Sequence, residues 1–510
     1  MTNARIPPIP RLLIGARASL TRDDASDPAM LAFLRIALGG VLSWELWRYL
    51  DLDFPRDYAE TPIHFTFWPF DWVHPLPTAG MTYLFVGLSL AAALVAVGAF
   101  FRSACLVLGV GMTYIFLLDR AFYLNHWYLA CILTFLLALT PANAIWSVDG
   151  RSRPSRFREG VPPWTIRIVR FQVAVVYLFA GLCKLNPDWL AGRPMRIWLG
   201  DATGFPVLGG VFQHSGAAQT MAILALVFDL SMVPLMMSPR TRRFIYPIAL
   251  VFHLMNSRLF TIGMFPWLMM LLTAVFFPSD FPRRLLDDLR HRRRRLPTLL
   301  GGSIMAGLCA WIPGSLSPPA MIVGFVAGSI AGYHLFGGDV AAPSVAADGA
   351  DSGDAALRPS RLVKGFLVAW MVVQVALPIR PYLYPGNTAW TEEGQQFSWR
   401  LLVRTKSGRA IFHVRDPLTG QVTDVYPETY LSGARLDNLA TQPDMLVQFA
   451  NFLERRMRPS HQGHDLEVRV STAVKLNGHK PLALVDPNVD LTRVSRPWFP
   501  PAPWITPGPG

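Results

Sequence analysis

The feature that most constrains this chain is a succession of apolar runs, each close to the length of a bilayer crossing. About 20 apolar residues span the hydrocarbon core. Such runs occur at 29–50, 78–101, 103–118, 126–146, 164–186, 217–237, 244–258, 262–277, 297–313, 318–336 and 362–379. In lipid every backbone N–H and C=O needs an internal partner, and a helix supplies it within one segment. Composition agrees: 52% of the 510 residues are hydrophobic and 16% charged, against about 25% charged in soluble domains. The expected fold is a polytopic α-helical membrane protein with about nine to eleven transmembrane helices. A C-terminal extracytoplasmic α+β, sheet-rich domain follows.

Charge sets the expected orientation. The lead 1–28 carries Arg5, Arg11, Arg17 and Arg22, whereas the next loop carries Asp51, Asp53, Asp57, Glu60 and Asp71 against Arg56. Arg102, the Arg151–Arg158 group, Arg240–Arg243 and Arg283–Arg295 then follow the second, fourth, sixth and eighth runs. Basic loops stay inside, so the N-terminus is expected in the cytoplasm and residues 381–510 outside a cell (inner) membrane. The net charge of +13 is explained by these loops and does not call for nucleic acid. The first apolar run starts near Met30, after a polar lead, and reads as a retained helix rather than a cleaved signal.

The membrane domain is expected to span 29–380. Its segment 337–360 is small, polar and low in complexity, and reads as a flexible cytoplasmic linker. Residues 262–277 and 244–258 flank a break at Arg258–Gly263, read as a re-entrant corner between two half-length or tilted helices. In 381–495, Phe397, Trp399, Leu401 and Val403 alternate, as do Leu466, Val468 and Val470, which predicts strands. Residues 444–457 repeat apolar residues at helical spacing. The Pro-rich end 496–510 reads as an extended tail.

Five lysines are present, and Lys184 is the only one before Lys364. Arginine anchors nearly every other membrane edge, a usage that points to a GC-rich bacterial genome. Lys184 closes an apolar run, where a snorkelling lysine is the plain reading. Unlike arginine, a desolvated lysine can lose its proton and act as a base. Asn125 and His126 open the fourth run: either a helix cap with an interfacial histidine, or a polar pair facing Lys184. His253, Asn256 and Arg258 crowd one apolar stretch that ends near Met264. They either satisfy a broken backbone or line a cavity. Trp390, Glu392, Trp399 and Arg400 lie just beyond the last run, as a turn or as a roof. The four cysteines all lie in apolar runs, and no CxxC, HExxH, P-loop or GxSxG occurs. No metal site is expected.

Six stretches occur in order: LNHWYL (124–129), YLFAGLCKLNPDWLAG (177–192), FHLMNSRLFTIGMFP (252–266), WTEEGQQFSWR (390–400), PDMLVQFA (443–450) and KLNGHKPLALVDPNVDL (475–491). Together they resemble the vitamin K-dependent γ-glutamyl carboxylase family, including its bacterial relatives with the HTTM membrane domain. The resemblance implies a carbon–carbon lyase that carboxylates peptidyl glutamate while O2 epoxidises the hydroquinone. Lys184 and His126 would be catalytic. Asn125, His253, Asn256, Arg258 and Met264 would bind reduced vitamin K or a menaquinone-type hydroquinone. Trp390, Glu392, Trp399 and Arg400 would bind substrate. CO2 is the co-substrate with O2, a glutamate-containing peptide or protein is the partner, and a separate reductase would recycle the epoxide. The disulfide of animal members has no counterpart in these cysteines. A quinone epoxidase without carboxylation and a non-enzymatic transport or binding module stay open as alternatives.

Overall fold

The computed structural model describes residues 25–153, 155, 157–205, 208–260, 262–290, 295–310, 317–337, 359–461, 463–495 and 501–509. Most of the lead 1–28 and of the linker 337–360 lies outside the described residues. The chain runs through α1 (Ala29–Asp51), α2 (Thr78–Val97), α3 (Phe101–Leu118), α4 (Asn125–Ala138), α5 (Trp164–Leu182) and α6 (Ala217–Met237). It continues through α7 (Pro239–Leu259), α8 (Phe265–Leu272), α9 (Phe281–Arg290), α10 (Arg295–Ala310), α11 (Ser317–Gly337) and α12 (Arg361–Ile379).

Among the described residues, α1, α2, α3, α5, α6 and α12 are long and apolar enough to cross a membrane. The bent pair of α8 and α9 makes a seventh crossing if counted as one. Helix α4 and the apolar stretches of α10 and α11 are shorter. The run at 126–146 thus splits into a 14-residue helix and a turn, because Pro141 cannot continue the ladder.

Helix α1 is the most enclosed of the six. A Cβ on Gly39 would lie 2.5 Å from the backbone N of Ala96, so glycine lets α1 and α2 touch. The buried Arg35 on α1 donates to the carbonyl oxygens of Val95 (3.1 Å), Ala96 (2.5 Å), Ala142 (3.0 Å) and Trp146 (2.6 Å). These carbonyls lie where α2 and the turn after α4 end, and they take four of the five guanidinium N–H donors.

The corner expected near Arg258–Gly263 exists, with different arms. Helix α7 runs a full 21 residues rather than half a span. Phe260 is extended, Gly263 turns with φ of 54°, and α8 follows. The α8 and α9 axes meet at 97°.

The outer domain is built on the antiparallel sheet β2-β1-β3, with β1 Lys406–Arg415, β2 Val422–Val425 and β3 Glu467–Leu476. Phe412 pairs with Val425 on one side and Val470 on the other. Val468 and Val470 on β3 join Phe412 in the core, covered by α13 (Pro443–Met457), whose Phe449 ring lies 4.9 Å from that of Phe412. The alternation at 466–470 and the helical spacing at 444–457 therefore form a strand and a helix. The alternation at 397–403 does not. Phe397, Trp399 and Leu402 have φ of 63°, 53° and 44°, left-handed values that no strand contains. Residues 501–509 turn at Ala502–Ile505 and pack down: Ile505 bridges Val485, and Trp504 joins the outer core.

Candidate active site

A cavity of about 400 Å³ opens between α5, α6, α7 and α8. Helix α5 reaches α6 closely at Gly181, where a Cβ would fall 2.5 Å from a methyl of Leu230. Lys184 follows two residues after α5. Asn186 caps the next short helix, Pro187–Leu190, by accepting from the Trp189 N–H (2.9 Å), with Pro187 at its first position. That turn sets the Trp189 ring 5.2 Å from the Lys184 ammonium, and the Trp189 indole donates to the Ala222 carbonyl on α6 (2.8 Å).

Lys184 is buried and donates to Asp229 Oδ2 (2.8 Å), the Ala180 carbonyl (2.9 Å) and the Leu401 carbonyl (3.3 Å). Asp229, on α6, is buried as well. It is the only acidic residue in the run 217–237, a signal that sequence reasoning passed over, since an intramembrane carboxylate is a functional candidate by default.

His253 lies on the same cavity wall. Its Nε2 is 2.9 Å from the Tyr177 hydroxyl, which is in turn 3.0 Å from Thr273 Oγ1. Its Nδ1 is buried with no partner. Asn256 lines the cavity one helical turn on. Arg258 and Met264 do not line it. Neither do Asn125 and His126. The Phe265 ring, with its centroid 6.1 Å from His126 and 6.4 Å from His253, stands between the two histidines. Asn125 is the first residue of α4 rather than its cap, and its Oδ1 accepts from the Tyr123 hydroxyl (3.0 Å). His126 is instead near Gly263 and the ion pair of buried Glu45 with half-buried Arg48, whose Nη2–Oε1 distance is 2.8 Å.

The segment 392–402 straps over the cavity. Leu401 and Leu402 form part of its wall, and the Trp399 ring stacks on Tyr128 of α4 at 5.0 Å. Arg400 Nε donates to Gln395 Oε1 (2.9 Å) within the strap. Trp390 is buried in the outer core, its indole donating to the Thr506 carbonyl (2.9 Å). Glu392 accepts from both Arg404 and Lys406, the latter at 3.0 Å. Burial opposes its charge, but those two cations hold its carboxyl below the usual range. Burial pushes Lys406 down to about 8, against the pull of Glu392. Beyond the strap lies a second cavity of about 510 Å³, lined by Phe67, Tyr128, Arg380, Glu393, Phe397 and Trp504 among others.

The HTTM domain family matches residues 24–281, and the vitamin K-dependent gamma-carboxylase lumenal domain matches residues 359–509. This chain belongs to the vitamin K-dependent gamma-carboxylase family. It is therefore a membrane protein with a vitamin K-dependent carboxylase function in the general sense. The family implies vitamin K hydroquinone, O2 and CO2, and a glutamate-containing protein substrate. No solved structure matches the chain.

The first cavity fits a quinol of this carboxylase family. Its walls are apolar and aromatic, its polar groups are few and convergent, and His253 Nδ1 lacks a partner. Leu224 and Val227 of α6 and Ile248 and Val251 of α7 line the cavity while facing outward. An isoprenoid tail can leave between them into lipid. Among the described residues, no cluster of three or more His, Cys, Asp or Glu could hold a metal ion.

Proposed function

We propose that this protein carboxylates the γ-carbon of peptidyl glutamate, coupled to epoxidation of a reduced vitamin K or menaquinone-type hydroquinone by O2. One observation carries the reading: among the described residues, Lys184 and Asp229 are the only Asp, Glu, Lys or Arg lining a mostly apolar cavity. A group with so few neighbours able to exchange protons is a candidate for acid–base work. When bound, the quinol supplies, with O2, the strong base that takes the glutamate γ-proton before CO2 adds.

The chain's own residues divide the work. Lys184 Nζ takes the first proton from a quinol O–H. His253, oriented by Tyr177, offers Nδ1 to a quinol oxygen, and Asn256 lies on the same helix face. Leu401 and Leu402 keep water from the amine, which makes each polar contact stronger. The second cavity receives the glutamyl peptide, with the 392–402 strap between the two reactants. Trp390 and Glu392 hold that strap through Thr506, Arg404 and Lys406, and Glu392, which also lines the second cavity, meets the peptide there. His126 acts from behind Phe265. The cytoplasmic N-terminus and extracytoplasmic outer domain place the peptide outside an inner membrane, with 29–380 and 381–495 as the two working units.

Epoxidation without carboxylation is favoured by a specific observation. Arg120 of the second cavity is already ion-paired with Asp444, and Arg380 donates to the Gln396 carbonyl (3.0 Å). The test is incubation of purified protein with reduced vitamin K, O2, labelled bicarbonate and a glutamyl peptide. Epoxide and fixed label together are expected. Epoxide alone selects the second reading, and neither product defeats both.

A further inference from the structure

We infer that Asp229 is where the first proton comes to rest, with Lys184 as the relay and as the cation that stays behind. The inference rests on the reading of Lys184 as the group that meets the quinol.

An ammonium has three N–H donors and no acceptor. Lys184 Nζ is surrounded by three acceptors: Asp229 Oδ2, the Ala180 carbonyl and the Leu401 carbonyl. All three donors are in use, so no lone pair points at the cavity. To accept a proton from a ligand, the amine must first release one. Carbonyl oxygens are far too weakly basic to take it. Among the described residues lining the cavity, Asp229 is the one carboxylate, and it is 2.8 Å away.

The step balances. A quinol O–H bond breaks and an N–H bond forms at Lys184 Nζ. One of the original Nζ–H protons passes to Asp229 Oδ2. The electron pair of the broken bond stays on the quinol oxygen, and nothing is oxidised or reduced. Afterwards the cavity holds one ammonium, one neutral carboxyl group and one anionic oxygen. Had Asp229 kept its charge, two anions would share one ammonium in apolar surroundings, where like charges repel strongly. Moving the proton to Asp229 keeps the site neutral throughout.

Asp229→Asn tests this against the simpler view that burial alone makes Lys184 a base. Three measurements are made on full-length protein in lipid nanodiscs. Quinol binding is followed anaerobically by quenching of tryptophan fluorescence, epoxide formation is timed under O2, and infrared difference spectra are recorded on quinol binding. The expected wild-type spectrum gains the C=O stretch of a protonated carboxylic acid, shifted in D2O and missing in Asp229→Asn. The expected Asp229→Asn protein binds quinol and forms epoxide about 100-fold more slowly or worse, with Asp229→Glu recovering part of the rate. Wild-type rates in Asp229→Asn, a wild-type spectrum with no carboxylic acid band, or a band that persists without Asp229 would each overturn the proposal. So would loss of quinol binding together with rate, which assigns Asp229 a packing role. If the wild type forms no epoxide, the reading of Lys184 itself fails, an outcome distinct from all of these.

Discussion

Lysine and arginine carry the same charge, but a guanidinium does not give up its proton in a protein. Lys184→Arg should therefore bind quinol yet lose epoxide formation by about 100-fold or more, measured as epoxide released per minute. Lys184 was legible because arginine anchors nearly every other membrane edge and no other lysine precedes Lys364. Its partner was not, since one aspartate inside a long apolar run does nothing to the run's length or hydropathy. His126 shows the converse: the pair expected to face Lys184 does not line its cavity, and the Phe265 ring contacts both His126 and His253. Glu392 carries a pH prediction. Its carboxyl binds a proton more weakly folded than unfolded, because Arg404 and Lys406 outweigh its burial. Its contribution is complete above about pH 4.5 and is lost as pH falls through the lower folded value. Thermal unfolding of the outer domain should show that acid decline. Glu392→Gln should flatten it, while costing about 3 kcal/mol at neutral pH by removing the carboxylate that Arg404 and Lys406 share.

At the level of elements, the corner between α7 and α8 was anticipated from its polar residues and glycine, whereas the strap 392–402 was misjudged. Period-two alternation marks a strand only when successive residues share extended angles. Here left-handed turns bring Phe397, Trp399 and Leu401 all onto the membrane core, while Val403 joins the separate cluster around Cys183 and Trp189. The spacing cannot distinguish these cases. The corner also makes a prediction. Gly263 has φ of 54°, and a Cβ there would lie 3.1 Å from Glu45 Oε1. Gly263→Ala should cost about 1–2 kcal/mol from the backbone alone, read as a lower melting temperature in detergent, and should disturb the Glu45–Arg48 pair beside His126.

Across the whole molecule, the outer domain is held down by polar clamps to loops that the membrane helices present on one side. Arg435 Nε donates to Asp119 (2.7 Å) and its Nη1 to Asp57 (2.9 Å). Gln448 trades hydrogen bonds with the Thr66 backbone at 2.8 and 3.1 Å. Asp188, four residues past Lys184, takes the Asn477 amide at 2.8 Å. Removing one member of a buried ion pair costs about 3–5 kcal/mol, so Arg435→Ala should loosen this docking. Faster hydrogen exchange at residues 61–77 and in the strap would report it, with the membrane helices unchanged. None of these clamps was legible beforehand, because each joins residues hundreds of positions apart whose types are ordinary for a surface. The gap between α6 and α7 has a kinetic consequence. A quinol that enters sideways is dissolved in the bilayer, while a peptide reaching the second cavity comes from water. The two reactants are then counted in different units. Diluting the membrane with inert lipid at constant bulk quinol should slow epoxidation as though quinol had been withdrawn, and leave the dependence on peptide concentration untouched.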